Sequence, residues 1–121
     1  MKLDIEIKAV PFSRPRFGRN KQVFDSPRYS AFKTSLRFAA LKEIGGKQNI
    51  YTGAIKIAVT IYKTSDKITS RNWGDADNHL KAVLDSLQGI AFIDDAQIVD
   101  AEVHKRVDTK NHISIEIEEA G

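Results

Sequence analysis

The sequence predicts a small α/β domain of the α+β type, one unit spanning residues 1–121, with two main helices and a mixed or mostly antiparallel four-stranded sheet. Three observations lead there. Four stretches alternate apolar and polar residues with period two, two others carry apolar residues at helical spacing, and the order is strand, helix, strand, helix, strand, strand.

Residues 2–9 turn Leu3, Ile5, Ile7 and Ala9 one way and Lys2, Asp4, Glu6 and Lys8 the other, the pattern of a half-buried strand. Ser26 and Pro27 then offer an N-cap and a proline for the first helical position. Tyr29, Phe32, Leu36, Ala39 and Ala40 recur at helical spacing until Gly45 and Gly46 end the pattern. A strand at 54–62 follows, with Ile55, Ile57, Val59 and Ile61 on one face. The second helix runs from Asn78 to Leu87, with Leu80, Val83, Leu84 and Leu87 on one stripe and Gly89 past its end. Residues 97–106 and 112–118 close the chain as two strands, expected to form a hairpin across the turn at Asp108 to Asn111. Segments 11–25 and 63–74 are polar and irregular, the expected mobile, substrate-facing loops.

Composition narrows the class. With 41% hydrophobic and 29% charged residues the chain has the globular balance, not that of a disordered segment. It has no cysteine, which excludes disulfides and thiolate zinc sites and makes a reducing cytoplasm the easiest setting. MKLDIEIKAV lacks the apolar core of a signal peptide, and no run approaches membrane-spanning length. The net charge is only +3, but Arg14, Arg16, Arg19, Lys21, Arg28, Lys33 and Arg37 face only Asp25 in their region. That stripe is either a solvated surface or an anchor for nucleic-acid phosphates.

The chemistry concentrates in DADNHLK, residues 75–81. Asp77 or Asn78 could cap the second helix, which explains one acid and leaves its neighbour unexplained. In extended chain, residues two apart project to the same side, so Asp75 and Asp77 could converge on one hard cation, magnesium or manganese before zinc. Lys81 shares a helix face with Asp77 and Asp85, either as a surface ion-pair ladder or as a phosphate contact. A calcium loop counted from Asp75 is excluded, because Leu80 and Ser86 stand where glycine and glutamate are needed. A second acidic run, IDDAQIVD, brings Asp94, Asp95 and Asp100, with nothing local to join it to the first. Trp73, Phe17 and Phe24 could touch bases or pack on their own loops, and His79, His104 and His112 lack metal-ligand spacing.

Taken together, GDADNHLKAVLDSLQGIAFIDDAQIVD resembles the signature of the RusA family of Holliday-junction resolvases, and PFSRPRF resembles the family's proline- and arginine-rich segment after its first strand. The resemblance implies a homodimeric, magnesium-dependent endonuclease, bacterial or phage-encoded, that nicks two opposed strands of a four-way DNA junction. It places the essential acids, which would hold the metal, on Asp75, Asp77 and Asp95 and the essential lysine on Lys81, with Asn78 and Asp94 as second-tier positions. Arg14, Arg16, Arg19, Lys21 and Arg71 are then the expected DNA contacts. Gly74 departs from the pattern, standing where a basic residue often occurs, with Arg71 as the nearby substitute. Two rival readings are a branched-DNA binder that does not cut and a nuclease for flaps or other branches.

Overall fold

The computed structural model describes residues 1–14, 16, 17, 23–45 and 50–121, with backbone alone at 16, 17, 23 and 24. Its elements are β1 (Lys2–Ile5), β2 (Arg16–Phe17), β3 (Val23–Phe24), α1 (Pro27–Ile44), β4 (Ile55–Lys63), α2 (Ala76–Leu87), a 3-10 turn (Asp95–Gln97), β5 (Ile98–Val107) and β6 (His112–Glu119). They build a small α+β domain with an open four-stranded mixed sheet, ordered β1-β6-β4-β5, and a separate β2-β3 pair.

Local chemistry sets the ends of α1. The Ser26 hydroxyl accepts a hydrogen bond from the Tyr29 N–H at 3.3 Å, and Pro27 opens the helix. Gly45, at φ 80°, closes it in the left-handed conformation that glycine adopts without strain. Tyr29, Phe32, Leu36, Ala40 and Ile44 form its buried stripe. With Val83 and Leu87 of α2 and the inward residues of the sheet, they make one core.

Strand β4 is central. It pairs antiparallel with β6, from Ile55 opposite Glu119 to Tyr62 opposite His112, and parallel with β5, from Ile55 opposite Ile98 to Lys63 opposite Val107. This corrects the expected hairpin, because β4 lies between β5 and β6. Its Ile55, Ile57, Val59 and Ile61 side chains are all buried, and such a strand is satisfied only with a partner on each edge. Strands one removed are roughly 10 Å apart, within reach of a four-residue link. That link arches over the end of β4, where the Asp108 N–H donates to the Lys63 carbonyl at 3.0 Å and the Thr64 N–H to Asn111 Oδ1 at 3.1 Å.

Strand β1 ends at Ile5, short of the expected residue 9, because its partner runs out: Ile5 pairs with Ile113, and β6 begins at His112. The two segments expected as loops are anchored in places. Phe12 meets Tyr29 edge to face at 5.6 Å, and Trp73 is buried. No described helix is long and apolar enough to cross a membrane.

His112 ties the arching link to the sheet. Its Nδ1 and Nε2 lie 2.8 Å from Asp4 and 2.7 Å from Asp108, and its ring stacks on Tyr62 at 4.0 Å. Only the imidazolium donates from both nitrogens. The hydrogen bond to Asp108 therefore raises the His112 pKa above 6.5, and the same bond lowers the Asp108 pKa below 3.8. The raised histidine stabilises the fold below pH 6.5 and loses that contribution as pH rises through its folded value; the depressed acid contributes above 3.8 and loses it as pH falls. His112→Phe keeps a stacking ring, so it is expected to lower Tm more near pH 5.5 than near pH 8.5 in thermal denaturation. An equal loss at both pH values would remove the ionic role.

Candidate active site

The site begins with a lysine in an apolar phase. Lys63 follows Ile55, Ile57, Val59 and Ile61 on the inward face of β4 and is only 4% exposed. Its ammonium donates to the Trp73 carbonyl at 2.6 Å. His79, from α2, donates its Nε2–H to the same carbonyl at 2.8 Å, and Lys105, from β5, donates to the Gly74 carbonyl at 2.8 Å. Both ammonium groups lie over the Trp73 ring, 4.8 and 5.1 Å from its centroid, and the indole N–H bonds to the Ser65 carbonyl. Trp73 therefore packs, as the more ordinary of its two readings has it.

Burial dominates the charges here. It lowers the His79 pKa to about 4, so the ring is neutral near pH 7. With Nε2 carrying the hydrogen, Nδ1 is a buried acceptor with no hydrogen-bond partner. Burial likewise lowers Lys63 to about 8, helped by the positive charges of Lys8, Arg28 and Lys105.

Gly74 makes the turn from this clamp into α2. Its φ is 100°, and a Cβ there would lie 2.5 Å from His79 Nε2 and 3.1 Å from Pro11 Cγ. No side chain fits, which accounts for the absence of a basic residue at this position. Asp75 follows as the cap residue of α2, extended at φ −76° and ψ 146°, yet its carboxylate makes no capping hydrogen bond. This corrects the expectation that Asp77 or Asn78 caps the helix: α2 starts at Ala76, and Asp77 lies in its first turn, where the helix dipole favours an anion.

Asp75, Asp77 and Lys81 are exposed, and Lys81 lies one turn beyond Asp77. Lys81 Nζ is 4.3 Å from the Phe12 ring centroid, and the Phe12 N–H donates to the Asn78 carbonyl at 2.9 Å. The segment that begins the basic stripe is thereby docked on the first turns of α2.

Asp94 and Asp95 are placed by the 3-10 turn. Asp94 Oδ1 accepts from the Ala96 N–H at 3.0 Å, while Gln97 reaches back to the Tyr51 and Gly53 carbonyls before β4. The Ala96 N–H holds the Asp94 pKa down, and the hydrogen bond with Asp94 pushes Asp95 up. From α2, Asp85 and Lys81 act on Asp95. Lys81 therefore shares a helix face with Asp77 and also acts on Asp95. Among the described residues, no three histidine or acidic side chains are grouped so as to hold a metal ion. Asp75 and Asp77 stand two residues apart at the helix start, and with Asp95 they form no three-acid cluster.

Other candidates separate clearly. Asp85 accepts the Tyr29 hydroxyl at 2.8 Å, a helix-to-helix tie. Asp100 lines a groove of about 730 Å³ on the sheet face away from the helices, with Glu102, Glu116, Glu118, Lys2 and Lys56. Its acids outnumber its lysines, so it repels phosphate, and it contains none of Asp75, Asp77 or Asp95. Lys33 pairs with Asp25 at 2.6 Å, and Arg37 donates to the Ser86 and Gln88 carbonyls at the end of α2. Those two members of the basic stripe are structural. Arg14, Arg28 and Arg71 are exposed. Arg19, Lys21 and the side chains of Arg16, Phe17 and Phe24 lie outside the described residues. His104 meets Glu102 at 3.4 Å.

Lys63 and Lys105 are the residues that sequence reasoning missed. The signal was available for Lys63, a charge at the fifth inward position of an otherwise apolar alternation.

Residues 6–118 match the family model described as endodeoxyribonuclease RusA. The chain belongs to the RusA endodeoxyribonuclease family, the Holliday-junction resolvases. No curated protein matches it.

Gly74→Ala is expected to cost about 1–3 kcal/mol, from the left-handed backbone and the contact with His79. Urea denaturation measures it, and an unchanged midpoint would show that a side chain does fit.

Proposed function

We propose that the protein cuts four-way DNA junctions as a homodimer, by magnesium-dependent hydrolysis of one phosphodiester on each of two opposed strands. The observation that carries this reading is the exposed pair Asp75 and Asp77 at the start of α2, with Lys81 one turn beyond. A binder that does not cut gains nothing from two anions beside a phosphate unless they carry a cation.

The donor set suits magnesium. Asp75 and Asp77 offer hard, exposed oxygens, and the Asp75 carboxylate makes no capping bond. Magnesium ordinarily takes one or two carboxylates, several waters and substrate phosphate, so this pair suffices for it to bind with the junction. When bound, it supplies Lewis-acid charge for water activation and for the leaving oxygen.

The chain's own residues do the rest. Asp75 and Asp77 hold the ion, and Asp95 adds the third negative charge near Lys81. The Lys81 ammonium faces the phosphate and offsets negative charge as it develops. Phe12, stacked against that ammonium, fixes its place beside the arginine segment. Arg14 and Arg71 provide exposed positive charge for neighbouring phosphates, a sequence-independent contact. A twofold dimer places two such sites on strands related by the junction's own twofold axis, which gives paired cuts.

A synthetic four-way junction, incubated with magnesium or with EDTA and followed by product mapping, tests the reading. Symmetric, magnesium-dependent nicks on opposed strands are expected. Asp75→Asn, Asp77→Asn and Asp95→Asn should each lower cutting by at least about 100-fold while junction binding persists or tightens. Binding without nicks would make the protein a branched-DNA binder, and equal cutting of flaps would make it a general branch nuclease.

A further inference from the structure

We infer that Lys63 is a positioning residue for this site: through the Trp73 carbonyl it holds the Trp73–Gly74 segment and so aims the Asp75 carboxylate. The inference rests on the reading of Asp75 as a ligand.

Packing alone does not call for a lysine here. Lys63 is 4% exposed, and the four inward residues before it on β4 are isoleucine or valine. Among the described residues no carboxylate pairs with it, and the charges that act on it are the positive ones of Lys8, Arg28 and Lys105. A buried ammonium among like charges opposes folding, and methionine would fill the same space without that penalty. Satisfying the Trp73 carbonyl does not require it either, because His79 already donates to that oxygen.

What Lys63 adds is direction. Three donors, from β4, β5 and α2, converge on two consecutive carbonyls: Lys63 and His79 on Trp73, and Lys105 on Gly74. The next residue is Asp75. Its side chain has no capping bond of its own to orient it, so the backbone entering α2 decides where its carboxylate emerges. That backbone passes through Gly74 at φ 100°, a conformation that depends on its surroundings to persist. Lys63 stands on the strand paired along both edges, so it transmits the position of the sheet to the acid.

Lys63→Met, which keeps length and removes charge, tests this. The expected result is an unchanged or higher Tm, amide hydrogen exchange at residues 74–78 faster by about tenfold, and junction turnover lower by about 10- to 100-fold with unchanged junction affinity. Unaltered exchange, wild-type turnover, or a fall in Tm that accompanies the loss of turnover would each overturn the inference. If the wild type cuts no junction, the functional reading fails, and the exchange comparison alone decides whether Lys63 holds the loop.

Discussion

The two-sided pairing of β4 is the constraint on which the remaining structure depends. A strand hydrogen-bonded to β6 on one edge and β5 on the other cannot slip by one residue without turning its buried isoleucines to solvent. Its phase is therefore rigid through Lys63, and that rigidity is passed on through a single carbonyl. Trp73, Gly74 and Asp75 follow in the chain, so the acid at the start of α2 inherits its position from the middle of the sheet.

This arrangement places opposing demands on one region. The same few residues hold a buried lysine, a neutral buried histidine with an unpartnered nitrogen, and a glycine in a left-handed turn. Each opposes stability, and each lies on or against the Trp73–Gly74 segment that leads into Asp75. The opposite face of the sheet carries an acidic groove that disfavours phosphate, so the electrostatics of the domain are two-sided. In the proposed reading, Arg14, Arg71, Lys81 and the first turn of α2 are what meets the nucleic-acid backbone.

Legibility in the sequence followed the range of the interactions involved. Helix α1 was readable to its ends, because Ser26, Pro27 and Gly45 act within one turn. The buried faces of β1, β4 and β6 are readable from alternation alone, whereas the edge strand β5 leaves Val99 and Ala101 of its alternating residues exposed. The order of strands is not readable this way: β5 and β6 are neighbours in sequence, and only the burial of β4 on both edges separates them. Helix α2 starts two residues before the expected Asn78, since Asp75 enters it without the side-chain cap that marks a helix start in sequence. Asp75, Asp77, Lys81 and Asp95 stand out as candidates by a pattern of residue types. Lys63 and Lys105 do not, because each is a lysine whose importance lies in what it touches across the fold. Lys33 and Arg37 show the converse, two cations of the basic stripe that serve an ion pair and a helix end.

The assignment of the acids is tested most directly by titrating Mn²⁺ into the wild type, Asp77→Asn, Asp95→Asn and Asp100→Asn and measuring affinity without any cleavage step. If Asp75 and Asp77 hold the ion, Asp77→Asn weakens binding by at least about tenfold, Asp95→Asn weakens it less, and Asp100→Asn binds as the wild type does. Wild-type affinity in Asp77→Asn would contradict the assignment and remove the ion from the start of α2.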